Sequence, residues 1–153
     1  MSSSPPASDL TEHLGFWLRT VSNHVSHAFA GKLAVKGVTA AEWVMMRALY
    51  GKDPMPPSRL ADELGMTRGA ITKLADRLIN KSLIIRKADS DDGRAQTLAL
   101  TPRGSSLVPE LAALADQNDA EFFGGLSRAE RETLERLLKR LVEHGRMTAM
   151  PIE

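Results

Sequence analysis

Residues 58–81 read Ser58-Arg59-Leu60-Ala61-Asp62-Glu63-Leu64-Gly65-Met66-Thr67-Arg68-Gly69-Ala70-Ile71-Thr72-Lys73-Leu74-Ala75-Asp76-Arg77-Leu78-Ile79-Asn80-Lys81. The stretch opens with a short amphipathic segment whose first helical position suits Pro57, because a proline there has no N–H to leave unpaired. Gly65 supplies a left-handed stop, and Thr67 can cap a second, longer helix reaching about Lys81. At 100° per residue, Ile71, Leu74, Ala75 and Leu78 form a buried stripe on that second helix. Gly69, Lys73, Asp76 and Asn80 point directly away, flanked by Thr72 and Arg77. This is the pattern of a helix-turn-helix whose second helix shows hydrogen-bonding and cationic groups outward. Gly69 costs about 1 kcal/mol relative to alanine inside a helix. It is either a tolerated neutral residue or a place where the backbone must approach another surface.

Downstream, Leu83-Ile84-Ile85-Arg86-Lys87 and Arg94 to Leu100 have strand character around Asp92-Gly93, as in a hairpin. A helix-turn-helix followed by a two-stranded ribbon is a winged helix. Asp89, Asp91 and Asp92 oppose a simple phosphate-gripping wing. Asp92 and Arg94 are two apart, so on an extended strand they share a face and can pair. An arginine held in this way loses less entropy on binding and suits a narrow minor groove. Taken without the adjoining motif, the same two residues read as an ordinary surface ion pair.

Upstream, Leu10, Leu14, Trp17, Leu18, Val21, Val25, Ala28, Phe29 and Leu33 keep helical spacing for about 24 residues, or about 36 Å of helix. Such a helix overhangs a small core and calls for a packing partner outside it. Gly37 ends it, and Thr39-Ala40-Ala41-Glu42 forms a capping box for the next helix, through Trp43, Met46, Leu49 and Tyr50. After the ribbon, Thr101-Pro102 starts a fifth helix. Gly124-Gly125 breaks it, and the capping box Ser127-Arg128-Ala129-Glu130 opens a sixth, expected to bury Leu134, Leu137, Leu138, Leu141 and Val142.

Composition narrows the function classes. The 153 residues are 42% hydrophobic and 25% charged, which suits a folded chain. With no cysteine, disulfides, thiolate metal sites and thiol nucleophiles are excluded. There is no apolar run of membrane-spanning length, and Met1-Ser2-Ser3-Ser4-Pro5-Pro6 lacks a signal-peptide pattern, so a soluble cytoplasmic protein without membrane contact is expected. Net charge is only +1, but it is unevenly spread. Between Met66 and Lys87 lie Arg68, Lys73, Arg77, Lys81, Arg86 and Lys87 against the single acid Asp76. This local excess fits a nucleic-acid surface, although a solvated helix face would carry the same charges.

Asp92-Gly93-Arg94-Ala95-Gln96-Thr97-Leu98-Ala99-Leu100-Thr101 resembles the D-x-R-x-x-x-x-x-L-T signature of the MarR family of bacterial transcription regulators. Leu60 to Thr72 is similar to that family's helix-turn-helix, and the element order from Leu10 to Val142 also fits. The resemblance implies a mostly α fold with a small β-hairpin wing, as a winged helix-turn-helix plus a helical dimerisation region drawn from both termini. Its divisions would be a disordered tail over 1–8, a dimerisation helix over 9–36, the DNA-binding lobe over 38–101 and dimerisation helices over 102–147. It further implies a homodimer on a pseudo-palindromic stretch of double-stranded DNA. The Thr67–Lys81 helix would enter the major groove, and Arg94, held by Asp92, the minor groove. The expected DNA contacts are Thr67, Arg68, Gly69, Thr72, Lys73, Arg77, Asp92 and Arg94. A small, aromatic or anionic effector releasing a repressor is the regulation that the family suggests.

For such an effector, His13, Trp17 and Trp43 can line an aromatic pocket, and Arg19 or Arg47 can meet a carboxylate. Core packing of the two tryptophans is the simpler alternative. His24 and His27, spaced i, i+3, are only half of a metal site, so neither metal nor cofactor is expected. No nucleophile elbow, phosphate loop or carboxylate–histidine grouping speaks for an enzyme. A winged-helix module that binds a protein instead of DNA is the competing reading, and the basic stretch from Arg68 to Lys87 weighs against it.

Overall fold

The computed structural model describes residues 4–89, 91 and 95–147. Six helices and one antiparallel hairpin follow in order: α1 (Leu14–Val35), α2 (Ala40–Leu49), α3 (Pro57–Leu64), α4 (Arg68–Asn80), β1 (Ile84–Ala88), β2 (Gln96–Leu100), α5 (Pro102–Phe123) and α6 (Arg128–Gly145). Helix ends fall where local chemistry puts them. The Thr39 hydroxyl accepts from Glu42 N–H at 3.1 Å, and the Glu42 carboxylate accepts in return from Thr39 N–H at 3.0 Å. Ser127 and Glu130 repeat that box at the start of α6. Gly65 takes the left-handed conformation at φ +65° that ends α3.

The N-terminal helix departs from the reading of its periodicity. Leu10–Glu12 form a single 3-10 turn, His13 is extended, and α1 begins only at Leu14. Local polar contacts compete with the helix there: Glu12 accepts from Asp9 N–H, the His13 ring meets the Ser8 hydroxyl, and the Trp17 indole donates to Thr11 C=O.

The core lies under the helix-turn-helix. Leu60, Ala61 and Leu64 of α3 pack with Ile71, Leu74, Ala75 and Leu78 of α4, and with Met45, Met46 and Leu49 of α2. Leu33 of α1 and Val108 and Leu111 of α5 close it from the other side. Full burial of each such side chain is worth about 1.5–3 kcal/mol. The methionines at 45, 46 and 55 fill this core, as flexible side chains do in irregular gaps.

β1 and β2 pair in the register Ile84↔Leu100 to Ala88↔Gln96. Met55 adds a bridge to Leu98, so the segment entering α3 is stitched to the ribbon. At the ribbon's base, Gly104 is required by space: a Cβ there would stand 2.2 Å from Leu83 C=O.

The stripe expected to be buried on the sixth helix has no cover within the single chain. Leu137, Leu138, Leu141 and Val142 are 40–56% exposed, and no residue of α6 is buried within the chain. On α1, Leu14, Trp17, Leu18 and Val21 are exposed as well. Among the described residues, nothing packs over these apolar stripes closely enough to bury them. Among the described residues, no helix is long and apolar enough to cross a membrane.

Candidate nucleic-acid interface

Helix α4 turns its four stripe residues, Ile71, Leu74, Ala75 and Leu78, into the core. Thr67, Arg68, Gly69, Thr72, Lys73, Asp76, Arg77 and Asn80 are all exposed. Six expected contact residues are therefore open to solvent on α4 and its N-cap: Thr67, Arg68, Gly69, Thr72, Lys73 and Arg77. Thr67 also caps the helix, accepting from Ala70 N–H at 3.1 Å, and the Thr72 hydroxyl donates back to Arg68 C=O at 3.0 Å. A Cβ on Gly69 would meet nothing within 4 Å. Nothing inside the chain demands glycine there, so any close approach comes from outside.

The cationic run does not all face one way. Arg68, Lys73, Arg77 and Lys87 have no carboxylate partner among the described residues. Arg86 pairs with Asp76, which neutralises the one acid of the α4 face. Lys81 is a correction to the charge count. Its ammonium donates to both oxygens of Glu42, at 2.9 and 2.8 Å, and to Gly37 C=O at 2.9 Å. Glu42 is fully buried while the Lys81 side chain is 39% exposed, so the ammonium is tied to the protein at the edge of the surface and its charge is met by Glu42. Charge counting along the sequence misses this because the partner lies 39 residues away.

Asp92 and Arg94 lie outside the described residues. Below them, Asp89 N–H donates to Ala95 C=O at 2.9 Å, which closes the arms of the hairpin.

The residues suggested for an effector pocket are spread over α1, the extended His13 before it, and α2. Trp17 is half exposed, edge-on to Phe16 at 5.2 Å between ring centres. Trp43 is partly buried against the core. His13 and Arg19 are exposed, and the Arg47 guanidinium stands 5.6 Å from the centre of the Tyr50 ring. A groove of about 700 Å³ runs elsewhere, between the end of α5 and α6, lined by Phe123, Leu126, Leu134 and Leu138 among others. Among the described residues, no cluster of three or more His, Asp or Glu could hold a metal ion.

Two polar clusters that periodicity did not announce join elements distant in sequence. Asn118 of α5, 2% exposed, donates to Val25 C=O at 3.1 Å and accepts from Lys32 at 2.8 Å. Lys32 also bridges to Glu121 at 2.8 Å. Thr101 donates its hydroxyl to Ser82 C=O at 2.7 Å and its N–H to Leu83 C=O at 3.0 Å. The L-T dipeptide of the signature thus ties the α4–β1 turn to the start of α5.

Comparison with known proteins places this geometry. The family model described as the MarR family matches residues 38–95. A Thauera aromatica protein, described as a transcriptional regulatory protein for the hcr operon, is 32% identical over 146 residues, covering 90% of this chain and 88% of its own length. The crystal structure of a variant of MarR from E. coli complexed with operator DNA is 25% identical, with a TM-score of 0.75 over 84% of this chain and 93% of that one. Bordetella bronchiseptica BpsR, whose DNA binding is regulated by 6-hydroxynicotinic acid, is 26% identical, with a TM-score of 0.77 over 89% of this chain and 97% of its own.

Proposed function

The chain belongs to the MarR family of transcriptional regulators, and from that premise we propose that it is a homodimeric repressor that reads a pseudo-palindromic operator and releases it when a small aromatic or anionic ligand binds. The family is one of DNA-binding, non-enzymatic winged-helix regulators, and the fold agrees with it. The observation that carries the reading is the division of α4 into a buried apolar stripe and an exposed face holding Arg68, Gly69, Thr72, Lys73 and Arg77. That face suits the major groove: arginine and lysine match guanine edges and phosphates, and threonine accepts or donates to either. Arg94, with Asp92 to hold it, is assigned to the adjoining minor groove.

The dimer is supported by the apolar stripes of α1 and α6, which the chain itself leaves exposed. Two copies joined there would set their reading helices about one duplex turn apart, about 34 Å. The effector reading draws on the ligand-regulated relative, with His13, Trp17, Arg19, Trp43 and Arg47 as the residues to test.

Fluorescence anisotropy with duplexes selected from a random pool tests the proposal. Neutralising about 6–10 phosphates should lower affinity about 10³–10⁵-fold between 50 and 200 mM salt. Salt-insensitive binding refutes it. Size-exclusion chromatography with light scattering checks the dimer, and tryptophan fluorescence during titration with aromatic acids checks the effector.

A further inference from the structure

Lys81 is the C-cap residue of α4, and its partly exposed ammonium has three protein acceptors within hydrogen-bond distance, as many as it has N–H donors. Two go to Glu42, which is completely buried in the first turn of α2. The third goes to the carbonyl of Gly37, in the elbow where α1 ends and turns, at φ +78°, towards α2. One side chain therefore joins the end of the reading helix to the end of the long helix that carries the exposed apolar stripe.

We infer that the Lys81–Glu42–Gly37 cluster positions α4 for DNA reading by fixing its angle to the α1–α2 elbow, and that Lys81 itself does not touch DNA. The inference rests on the DNA-reading role proposed above. Helix α4 has 13 residues and is about 20 Å long. It is held by Lys81 at one end and presents Thr67, Arg68 and Gly69 at the other. A tilt of about 10° about the held end moves the reading end by about 3 Å over that length. Hydrogen bonds to base edges need donor–acceptor distances of about 2.7–3.2 Å, so a tilt of that size breaks them. In a dimer built on α1, the same tilt alters the separation of the two reading helices, because α1 is what the elbow is anchored to.

A buried carboxylate left alone would threaten folding, so the test removes both charges together. The Glu42→Gln, Lys81→Met double variant keeps an N3 residue able to form the capping box and keeps the aliphatic stem of Lys81. Duplexes selected from a random pool by wild-type protein serve as probe, with anisotropy measured across salt concentrations and thermal unfolding monitored in parallel. The expected result is a folded dimer whose affinity for the selected duplex falls tenfold or more while the slope of log affinity against log salt stays unchanged. Reselection with the variant should return the same half-site sequence at relaxed spacing. Affinity within twofold of wild type, with spacing retained, overturns the inference and leaves the pair a purely structural one. A slope reduced by about 0.9 also overturns it, since that marks a lost phosphate contact. A wild-type protein that binds no duplex removes the DNA-reading role and this inference with it; wild-type binding beside an unaltered variant removes the inference alone.

Discussion

Arg86 of β1 pairs through its guanidinium with the carboxylate of Asp76, on the exposed face of α4. The wing and the reading helix thus meet through one ion pair, and the only acid on that stretch of α4 is neutralised by a residue ten positions later. Both side chains are about half exposed, so the pair contributes little to stability, at most about 1 kcal/mol. On the proposed DNA-reading role of α4 its consequence is electrostatic: an unpaired Asp76 would then face phosphate. Arg86→Ala is therefore expected to leave the melting temperature almost unchanged while weakening duplex binding several-fold. Anisotropy and thermal melting on the same sample measure both.

Gly69 offers a test in which stability and binding move in opposite directions. The position is exposed and has room for a Cβ, so Gly69→Ala should stabilise α4, by less than the ~1 kcal/mol of a helix interior because Gly69 is its second residue. If the α4 backbone closes on DNA there, the added methyl lowers duplex affinity. Urea denaturation should show a higher midpoint beside weaker binding. A variant that is both more stable and equally tight would show that the backbone does not approach.

At the base of the wing, Gly104→Ala puts a Cβ 2.2 Å from Leu83 C=O. Backbone must move to accommodate it, at a cost of about 1–3 kcal/mol. The same junction is held by Thr101 to Ser82 and Leu83, so Thr101→Val should also lower the unfolding midpoint. Equilibrium denaturation of both variants checks the expectation.

The α1–α5 clamp predicts a pH dependence. Hydrogen bonds from Lys32 and then Gln117 hold the Glu121 carboxyl below its ordinary value of 4.5. A carboxyl depressed in the folded state adds stability above its unfolded pKa and loses it as pH falls through the folded one. Glu121→Gln should therefore lower the melting temperature slightly at neutral pH, where the charged carboxylate stabilises the fold, and flatten its decline below about pH 4.5. Asn118→Ala, which leaves Lys32 and Val25 C=O without their buried partner, is expected to cost about 1–3 kcal/mol at any pH.

The apolar face of α6 supplies the last prediction. Leu138 and Leu141 are 40% and 56% exposed in the single chain. Leu141→Asp should leave the winged-helix core intact and shift the protein to monomer, with loss of most operator affinity because two half-sites are no longer read together. Light scattering and circular dichroism separate dissociation from unfolding.

Much of this molecule is written in local sequence. The boxes at Thr39–Glu42 and Ser127–Glu130, the stop at Gly65 and the Thr67 cap all act over three or four residues, so chain order alone places these helix ends. The stripe of Ile71, Leu74, Ala75 and Leu78 fixes which side of α4 is left open, because helical rotation is the same everywhere. Tertiary structure alone decided what lies across a gap in sequence. It turned Lys81 inward onto Glu42, gave Arg86 to Asp76, set Asn118 under α1 and left α6 uncovered. Periodicity records which face of an element is apolar, and composition records how many charges a segment has. Neither records which distant group will be within 3 Å after the chain has packed, and that proximity determines whether a cation is offered to solvent or used to hold the protein together.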